Sequence, residues 1–357
     1  MNLDDLTSMQ ILDSQNMLAE IDSLPEQLAL AWALGQSLPL PEAVQHITRV
    51  VLCGMGGSAI GAELLAGYAS EYCKIPVNVQ RDYGLPAYAS GKETLVIASS
   101  HSGNTEETLD AFEQALKRGC TLMTISTGGR LAEVANAAGC PSWRFSHNGQ
   151  PRAAVGFSFG LLLAIFTRLG LLPAQDELVD QAVAAMQTQQ KNLLATMPAA
   201  SNPAKRYAGQ LVGRWVTIFG SGLLAGVARR WKTQINELAK APANFECLPE
   251  ADHNTLAGII NPSDELLMPH TLTLFLRAAS DHSRNSLRAE ITRQTFMLEG
   301  LNTDIYMAQG ENSLAQMWTA VHFGDYMAYY LAIAYSIDPT PVEALTGLKA
   351  TLAAVRS

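Results

Sequence analysis

A short run of hydroxyl side chains is the first feature of this sequence that suggests chemistry. Ser100, Ser102 and Thr105, with Gly103 among them, lie between an apolar run and an amphipathic run. The start of a helix presents unpaired N–H groups and a partial positive charge, which attract phosphate. Ser and Thr hydroxyls add neutral donors for phosphate oxygens. The run therefore predicts a phosphate site or, as the plainer alternative, a helix cap.

A second glycine-rich turn, GMGGS at residues 54–58, stands at the head of another predicted helix. It departs from the dinucleotide pattern G-x-G-x-x-G, and no suitable acidic residue ends the next strand. It is also not a P-loop, because no Gly-Lys-Ser/Thr follows it. Phosphate binding without a basic lysine favours a sugar phosphate over a nucleoside triphosphate as the ligand.

Alternating strands and helices must position these two turns. Strand-like runs occupy residues 50–53, 77–80, 94–100 and 121–127, with a candidate fifth in 141–146, and helical runs separate several of them. This alternation predicts an α/β fold with a doubly wound parallel sheet. In such a sheet both turns lie at the carboxyl ends of strands, where ligands bind.

The same pattern recurs in the second half of the chain, which predicts a duplicated fold with two such sheets. Strand–turn–helix units begin at residues 214, 271 and 304. We predict an N-terminal helical segment (1–48), a first domain (49–172), a helical linker (173–205) and a second domain (206–357). The turn RAASDHSRNS of the second half lacks the compact hydroxyl cradle, so we expect the first half to bind the anionic end of the ligand.

Composition excludes several classes of protein. The 357 residues are 48% hydrophobic and 16% charged, which is globular rather than disordered or fibrous. The net charge of −9 without a basic block disfavours nucleic-acid and membrane-surface partners. The longest apolar run, residues 155–166, is too short to span a bilayer and predicts a buried helix.

The cysteines and the N-terminus predict a cytoplasmic protein. The five cysteines are odd in number and scattered, and none forms CxxC, so we expect free, buried thiols in a reducing compartment. The first residues are acidic and lack the basic flank and apolar core of a signal peptide.

Four segments carry a resemblance to a known family. CGMGGSAIGAELL and SSHSGNTEETL resemble the sugar isomerase (SIS) domain, and NELAKAPANFECLPEADHN and IDPTPVEALTGLKATL are similar to segments of the bifunctional phosphoglucose/phosphomannose isomerases. The similarity runs over most of the chain, including its duplication. His101 stands in the serine loop where the family pattern leads us to expect an aromatic side chain such as Tyr.

The resemblance implies interconversion of glucose 6-phosphate or mannose 6-phosphate with fructose 6-phosphate through a cis-enediol. It assigns the base to Glu237, the ring-opening proton shuttle to His253, the cation for the enediolate to Arg152, and a role in ring opening or sugar binding to Lys349. Carboxylate, imidazole and guanidinium suit these tasks chemically. It assigns the phosphate to Gly57, Ser58, Ser100, Ser102 and Thr105.

The resemblance also implies a homodimer in which the histidine reaches the neighbouring subunit's site. The reaction needs no metal or redox cofactor, and the remaining histidines show no metal-ligand spacing, so we expect them to cap turns: His46, His147, His270, His282 and His322. Two alternatives stay open: another SIS-type sugar-phosphate isomerase, and a non-catalytic sugar-phosphate-binding regulator. A glutamine-dependent synthase is disfavoured because the sequence has no N-terminal nucleophilic Cys.

Overall fold

The computed structural model describes residues 2–41, 46–261 and 270–355. The chain begins with three helices, α1 (Leu6–Leu12), α2 (Met17–Asp22) and α3 (Leu24–Gly35). They confirm the predicted N-terminal helical segment, of which positions 42–45 lie outside the described residues. Pro25 lies in the first turn of α3. Proline fits there because its missing N–H would have no partner in the helix.

The first sheet is parallel and has the strand order β2-β1-β3-β4-β5. Its strands are β1 (Arg49–Cys53), β2 (Val77–Gln80), β3 (Thr94–Ser99), β4 (Thr121–Ser126) and β5 (Ser142–Arg144). The helices that follow β1, β3 and β4 are α4 (Gly56–Ala69), α5 (Glu106–Lys117) and α6 (Gly129–Ala137). Every residue of β3 and β4 is buried, which explains why both strands are continuous apolar or hydroxyl runs rather than alternating ones.

The second sheet repeats the first, and its order is β7-β6-β8-β9. Its elements are β6 (Trp215–Ser221), α10 (Ala225–Leu238), β7 (Ala243–Leu248), β8 (Thr271–Arg277), α11 (Ser283–Leu298) and β9 (Thr303–Met307). The matching order confirms the predicted duplication and the two-sheet α/β fold. Strand β7 was not predicted.

Helices between and beside the sheets complete the core. They are α7 (Val155–Arg168), α8 (Asp176–Gln190), α9 (Pro203–Leu211), α12 (Ser313–Ala334) and α13 (Glu343–Ala354). Residues 155–166 of α7 are all buried, as the sequence predicted. Residues 314–333 of α12 are buried too, so this helix is enclosed on all sides and packs within the chain against α8, α9 and α10.

One hydrophobic cluster runs through both sheets, from Leu52 and Ile97 in the first to Ile218 and Leu274 in the second. The domain boundaries given above stay a prediction. Within the described ranges, no helix combines the length and the apolar character needed to cross a membrane. All five cysteines are free, but only Cys53 is buried and the other four are half-buried, which corrects the expectation of buried thiols.

Candidate active site

The first glycine turn packs directly against the segment that carries Arg152. It leads from β1 into α4, which begins at Gly56. A Cβ atom on Gly57 would lie 2.6 Å from the carbonyl oxygen of Pro151 and 3.2 Å from Cα of Arg152. Only glycine permits this approach, and Ser58 beside it is buried. The start of α4 and Arg152 therefore belong to one site.

The serine loop, residues 100–105, joins β3 to α5. The Ser100 hydroxyl lies 2.8 Å from the Thr105 hydroxyl and accepts the Gly103 N–H at 3.1 Å. Gly103 has φ +70°, and a side chain there would collide with the Gly128 carbonyl. Thr105 is the N-cap residue of α5, but its side chain makes no capping hydrogen bond. The plain helix-cap explanation therefore does not account for this hydroxyl.

The two turns lie side by side because β1 and β3 are neighbouring parallel strands. A Cβ atom on Gly54 would lie 2.9 Å from the Ser99 carbonyl oxygen and 3.3 Å from Cβ of Ser58. Two helix starts, at α4 and α5, thus meet at the carboxyl edge of the first sheet. This edge concentrates N–H and hydroxyl donors, with the exposed Ser102 at its rim.

The corresponding turn of the second half is built differently. After β8, the buried carboxylate of Asp281 accepts from the Ala278 N–H at 3.0 Å and from Arg277 Nε at 3.1 Å. The Ser280 hydroxyl donates to Gln316 at 2.7 Å. A carboxylate at this position repels an anion, and the serine there is already engaged. The turn stands at the same place in the second sheet as the serine loop does in the first, but its Ser280 hydroxyl is already hydrogen-bonded to Gln316.

Arg152 is a buried cation at the start of α7. It lies in the short 3₁₀ turn Pro151–Ala153, and its side chain is 5% exposed. Its Nη2 donates to the carbonyl oxygens of Pro339, at 3.0 Å, and Thr340. Burial lowers the pKa of Arg152, and the neighbouring Glu237 opposes this shift. The guanidinium remains charged at neutral pH because its ordinary pKa is so high.

Glu237 lies beside this cation. One of its carboxylate oxygens is 3.8 Å from Nη1 of Arg152, and its side chain is 27% exposed. It lies in the last turn of α10. The Nε atom of Arg152 is buried and has no hydrogen-bond partner among the described residues. The pair thus combines an accessible carboxylate with a fixed cation that has donor capacity to spare, which is an arrangement suited to proton transfer and anion stabilisation.

Arg230, which sequence reasoning missed, fixes the backbone of Arg152 from the same helix. Its Nη2 donates to the Arg152 carbonyl oxygen at 2.7 Å, and its guanidinium forms a buried ion pair with Asp325 of α12. Burial raises the pKa of Asp325, while Arg230 acts in the opposite direction. Helix α10 therefore holds Arg152 at two points, through Arg230 and Glu237.

Lys240 is a second residue that sequence reasoning missed. It follows α10 with φ +53°, and its Nζ contacts four carbonyl oxygens at 2.9–3.1 Å, those of Glu237, Leu238, Asp338 and Pro339. Burial and the charge of Arg152 lower the pKa of Lys240 to about 8. The Pro339 carbonyl is thus shared by Lys240 and Arg152. A lysine just after a helix end, in NELAKAP, was the available signal.

Comparisons with known proteins show which family the chain belongs to. Residues 200–352 match the model of the bacterial phospho-glucose isomerase C-terminal SIS domain. The chain is 40% identical over 347 residues to a bifunctional phosphoglucose/phosphomannose isomerase of Caldicellulosiruptor bescii, covering 95% of this chain and 100% of that one. This chain belongs to the bifunctional phosphoglucose/phosphomannose isomerase family.

A second family member, from Aquifex aeolicus, is 33% identical over 308 residues, covering 85% of this chain and 90% of its own. Among solved structures, the C-terminal domain of glucosamine-fructose-6-phosphate aminotransferase from Francisella tularensis superposes with a TM-score of 0.72. That match covers 91% of this chain and 98% of the other at 14% identity, and it bears on the fold alone.

Two residues that the family resemblance assigns to catalysis make no polar contact with the Arg152–Glu237 pair among the described residues. His253 is exposed at the end of the 3₁₀ turn Glu250–His253, and Lys349 is exposed on α13. Within the described residues, neither forms a hydrogen bond or ion pair with Arg152 or Glu237. The glycine turn and the Arg152–Glu237 pair therefore adjoin each other within one chain, whereas no hydrogen bond or ion pair among the described residues joins His253 or Lys349 to that pair.

The remaining histidines differ from one another. His282 caps α11 by accepting the Arg284 N–H, as expected of a turn-capping residue. His147 is not a turn cap: it is 8% exposed and hydrogen-bonds both Glu20 and His101. His322 is also no turn cap, because it is fully buried against the Ile21 carbonyl. His46 and His270 are exposed. In the described part of the chain, no three His, Cys, Asp or Glu side chains cluster as metal ligands would.

Proposed function

We propose that this protein is an aldose–ketose isomerase that interconverts glucose 6-phosphate and mannose 6-phosphate with fructose 6-phosphate. The observation that carries the proposal is the Glu237 carboxylate 3.8 Å from the buried Arg152 guanidinium, next to two anion-binding turns. The names of the relatives in this family support the same activity.

In this proposal the serine loop and the start of α4 hold the 6-phosphate. The ligands are Gly57 through its backbone and the hydroxyls of Ser58, Ser100, Ser102 and Thr105. Support comes from the free N–H groups at the two helix starts and from the mutual orientation of Ser100 and Thr105. The sugar chain then extends from this edge toward Arg152, whose backbone touches Gly57.

Glu237 moves the proton between C2 and C1. In a planar cis-enediol, C1 and C2 are both accessible from the same side of the plane. A single carboxylate on that side can therefore remove the proton from one carbon and return it to the other. Arg152 balances the negative charge that develops on the enediolate oxygens. Because its guanidinium is already bound to the carbonyls of Pro339 and Thr340, it needs little reorganisation during the reaction. Hydrogen moves as a proton, so the chemistry requires no redox cofactor and no metal.

His253 and Lys349 complete the site in a homodimer. Both side chains are exposed and, among the described residues, form no hydrogen bond or ion pair with Arg152, so we assign the shuttle and the sugar-binding lysine to a second copy of the chain. Helix α13 supports this arrangement: Leu345, Leu348 and Leu352 are 46–56% exposed and recur at helical spacing on one face. An apolar face of this kind, adjoining a lysine with a proposed catalytic role, fits burial against a second copy of this chain.

A cytoplasmic location, with no nucleic-acid or membrane partner, belongs to the same proposal. Its support is the net charge of −9 and five cysteines that are all free.

A coupled assay tests the activity. Fructose 6-phosphate is supplied, and glucose 6-phosphate and mannose 6-phosphate are measured separately, with Glu237→Gln as the matched inactive control. Formation of both products that depends on Glu237 supports the proposal. Turnover of a different sugar phosphate alone favours another SIS-type isomerase, and binding without turnover favours a regulator.

A further inference from the structure

Three ionisable side chains form a hydrogen-bonded chain that ends in the serine loop. Glu20 of α2 lies 2.8 Å from Nε2 of His147, and Nδ1 of His147 lies 2.9 Å from Nε2 of His101. His147 is nearly buried, and His101 is half-buried between Ser100 and Ser102. We call Glu20, His147 and His101 the Glu20 relay. It connects the N-terminal helices to the loop in which we place the phosphate.

The direction of these hydrogen bonds follows from the acceptors. An ionised carboxylate can only accept a hydrogen bond, so Nε2 of His147 is protonated and donates to Glu20. Nδ1 of a neutral His147 then accepts, and Nε2 of His101 donates to it. In this arrangement Nδ1 of His101 is unprotonated. Among the residues that the structure describes, none hydrogen-bonds that atom.

A proton added to Nδ1 of His101 breaks neither hydrogen bond. A proton added to Nδ1 of His147 would set two donors against each other, because His101 already donates there. His101 is therefore the basic end of the Glu20 relay. The resulting imidazolium is stabilised through His147 by the Glu20 carboxylate, since charge-assisted hydrogen bonds are the stronger ones.

The free protein keeps His101 neutral. Among the described residues, His147 is the ionisable group in contact with its ring, and Glu20 lies behind it. Phe145 also contacts the His101 ring, and Phe157 contacts Phe145 and His147. Burial, with a smaller contribution from His147, lowers the pKa of His101 to about 4. His101 is also the one ionisable side chain among residues 100–105, whose other side chains are neutral donors or glycine. An unliganded loop thus carries no side-chain charge.

We propose that His101 takes up a proton from solvent when a dianionic phosphate monoester binds the serine loop, and that the Glu20 relay stabilises the imidazolium formed. A nearby dianion favours the charged form of a histidine and raises its pKa. The loop then gains a cation only when an anion is present. This makes His101 a positioning residue for the phosphate, and it rests on the proposed phosphate site.

Isothermal titration calorimetry in two buffers of different protonation enthalpy measures this proton uptake. The probe is inorganic sulfate, a dianion with no titratable proton near neutral pH, so any proton taken up binds to the protein. A hexitol 6-phosphate, which cannot isomerise, is the second probe. We expect net uptake by the parent between pH 6 and 7, none by His101→Gln, reduced uptake by Glu20→Gln, and parental uptake by the exposed-site control His270→Gln.

Affinity provides a second readout. By linkage, we expect His101→Gln to bind sulfate about tenfold more weakly than the parent at pH 6 and to match it above pH 8. Binding without proton uptake in the parent would overturn the role of His101 while leaving the phosphate site intact. Failure of the parent to bind either probe would overturn the phosphate site and the inference together. Uptake by the parent shows that a group on the protein is protonated, and its loss in a His101→Gln variant that keeps the parent's thermal unfolding temperature assigns that group. Undiminished uptake by such a variant would overturn the role of His101.

Discussion

The carboxylate of Glu237 lies 3.8 Å from the guanidinium of Arg152, although the two residues come from α10 of the second half and from the segment before α7. Arg152 also contacts the turn that begins α4, through its backbone beside Gly57. Arg152 therefore adjoins both the proposed base and the turn in which we place the phosphate. The following predictions test the members of this arrangement separately.

Removing the base is expected to act on the chemical step. Glu237→Gln keeps the size of the side chain but cannot accept a proton, so kcat should fall by about 10²–10⁴-fold while substrate affinity is largely kept. During turnover the parent should exchange deuterium from solvent into C2, and the variant should not. Glu299→Gln, at the exposed end of α11, is the matched control. Near-parental turnover and exchange in Glu237→Gln would place the base elsewhere.

The geometry of Arg152 should matter as much as its charge. Arg152→Lys keeps the positive charge but replaces the planar guanidinium with an ammonium group. A single ammonium cannot bind the Pro339 and Thr340 carbonyls and the enediolate at the same time. We expect kcat to fall by about 10²–10³-fold, as for loss of a preorganised oxyanion donor. Steady-state kinetics measures kcat and KM, and thermal unfolding controls for stability. Parental kcat in Arg152→Lys would contradict a role for the guanidinium fork.

The serine loop should govern binding rather than chemistry. The double variant Ser102→Ala/Thr105→Val removes two hydroxyls, each of which is expected to cost about tenfold or more in affinity for a charged phosphate. Titration with fructose 6-phosphate and with inorganic phosphate measures the change. Ser280→Ala, in the corresponding turn of the second half, should bind both ligands like the parent. Equal weakening by Ser280→Ala would mean that the second turn also holds phosphate.

Lys240 is expected to position Arg152 and Glu237 without touching substrate. Lys240→Met removes the contacts that join the end of α10 to residues 338 and 339, and displacement of the reacting groups should lower kcat by roughly tenfold to hundredfold. KM should change little, since the phosphate ligands remain. Lys240→Arg should recover part of kcat, and the exposed Lys191→Met should have no effect. A selective rise in KM would instead indicate direct binding of the sugar.

The composite site predicts complementation between inactive chains. Glu237→Gln and His253→Ala chains, mixed under subunit exchange, should regenerate part of the parental activity, because a heterodimer contains one site with both groups. Light scattering verifies the assembly. No recovery in verified heterodimers would mean that each site is built within one chain.

The interface itself can be tested on α13. Leu348→Glu/Leu352→Glu places charges on its apolar face and should shift the protein toward monomers, with loss of activity. Leu298→Glu, at an 87% exposed position on α11, is the matched control and should remain a dimer. A dimer that survives the double substitution would exclude α13 from the interface.

Much of the fold followed from local pattern. The apolar runs of β1, β3 and β4 are buried on both faces, so each run is continuous and could be predicted from the sequence. Strand β7 was missed because it is an edge strand of mixed composition that lies between Pro242 and Pro249, and only two of its six residues are buried. Its structure depends on pairing with β6, which no local signal reports.

The local sequence by itself determined the two glycine- and hydroxyl-rich turns at helix starts, because donor chemistry and turn conformation are properties of a few consecutive residues. Only the tertiary structure decided which distant groups meet. In the folded chain α12 is buried in the core, whereas the apolar face of α13 is exposed. Hydrogen bonds connect Glu20 through His147 to His101. Lys240 and Arg152 both donate hydrogen bonds to the Pro339 carbonyl oxygen. These contacts join segments far apart in the chain, and their geometry is fixed by how the helices pack around the two sheets.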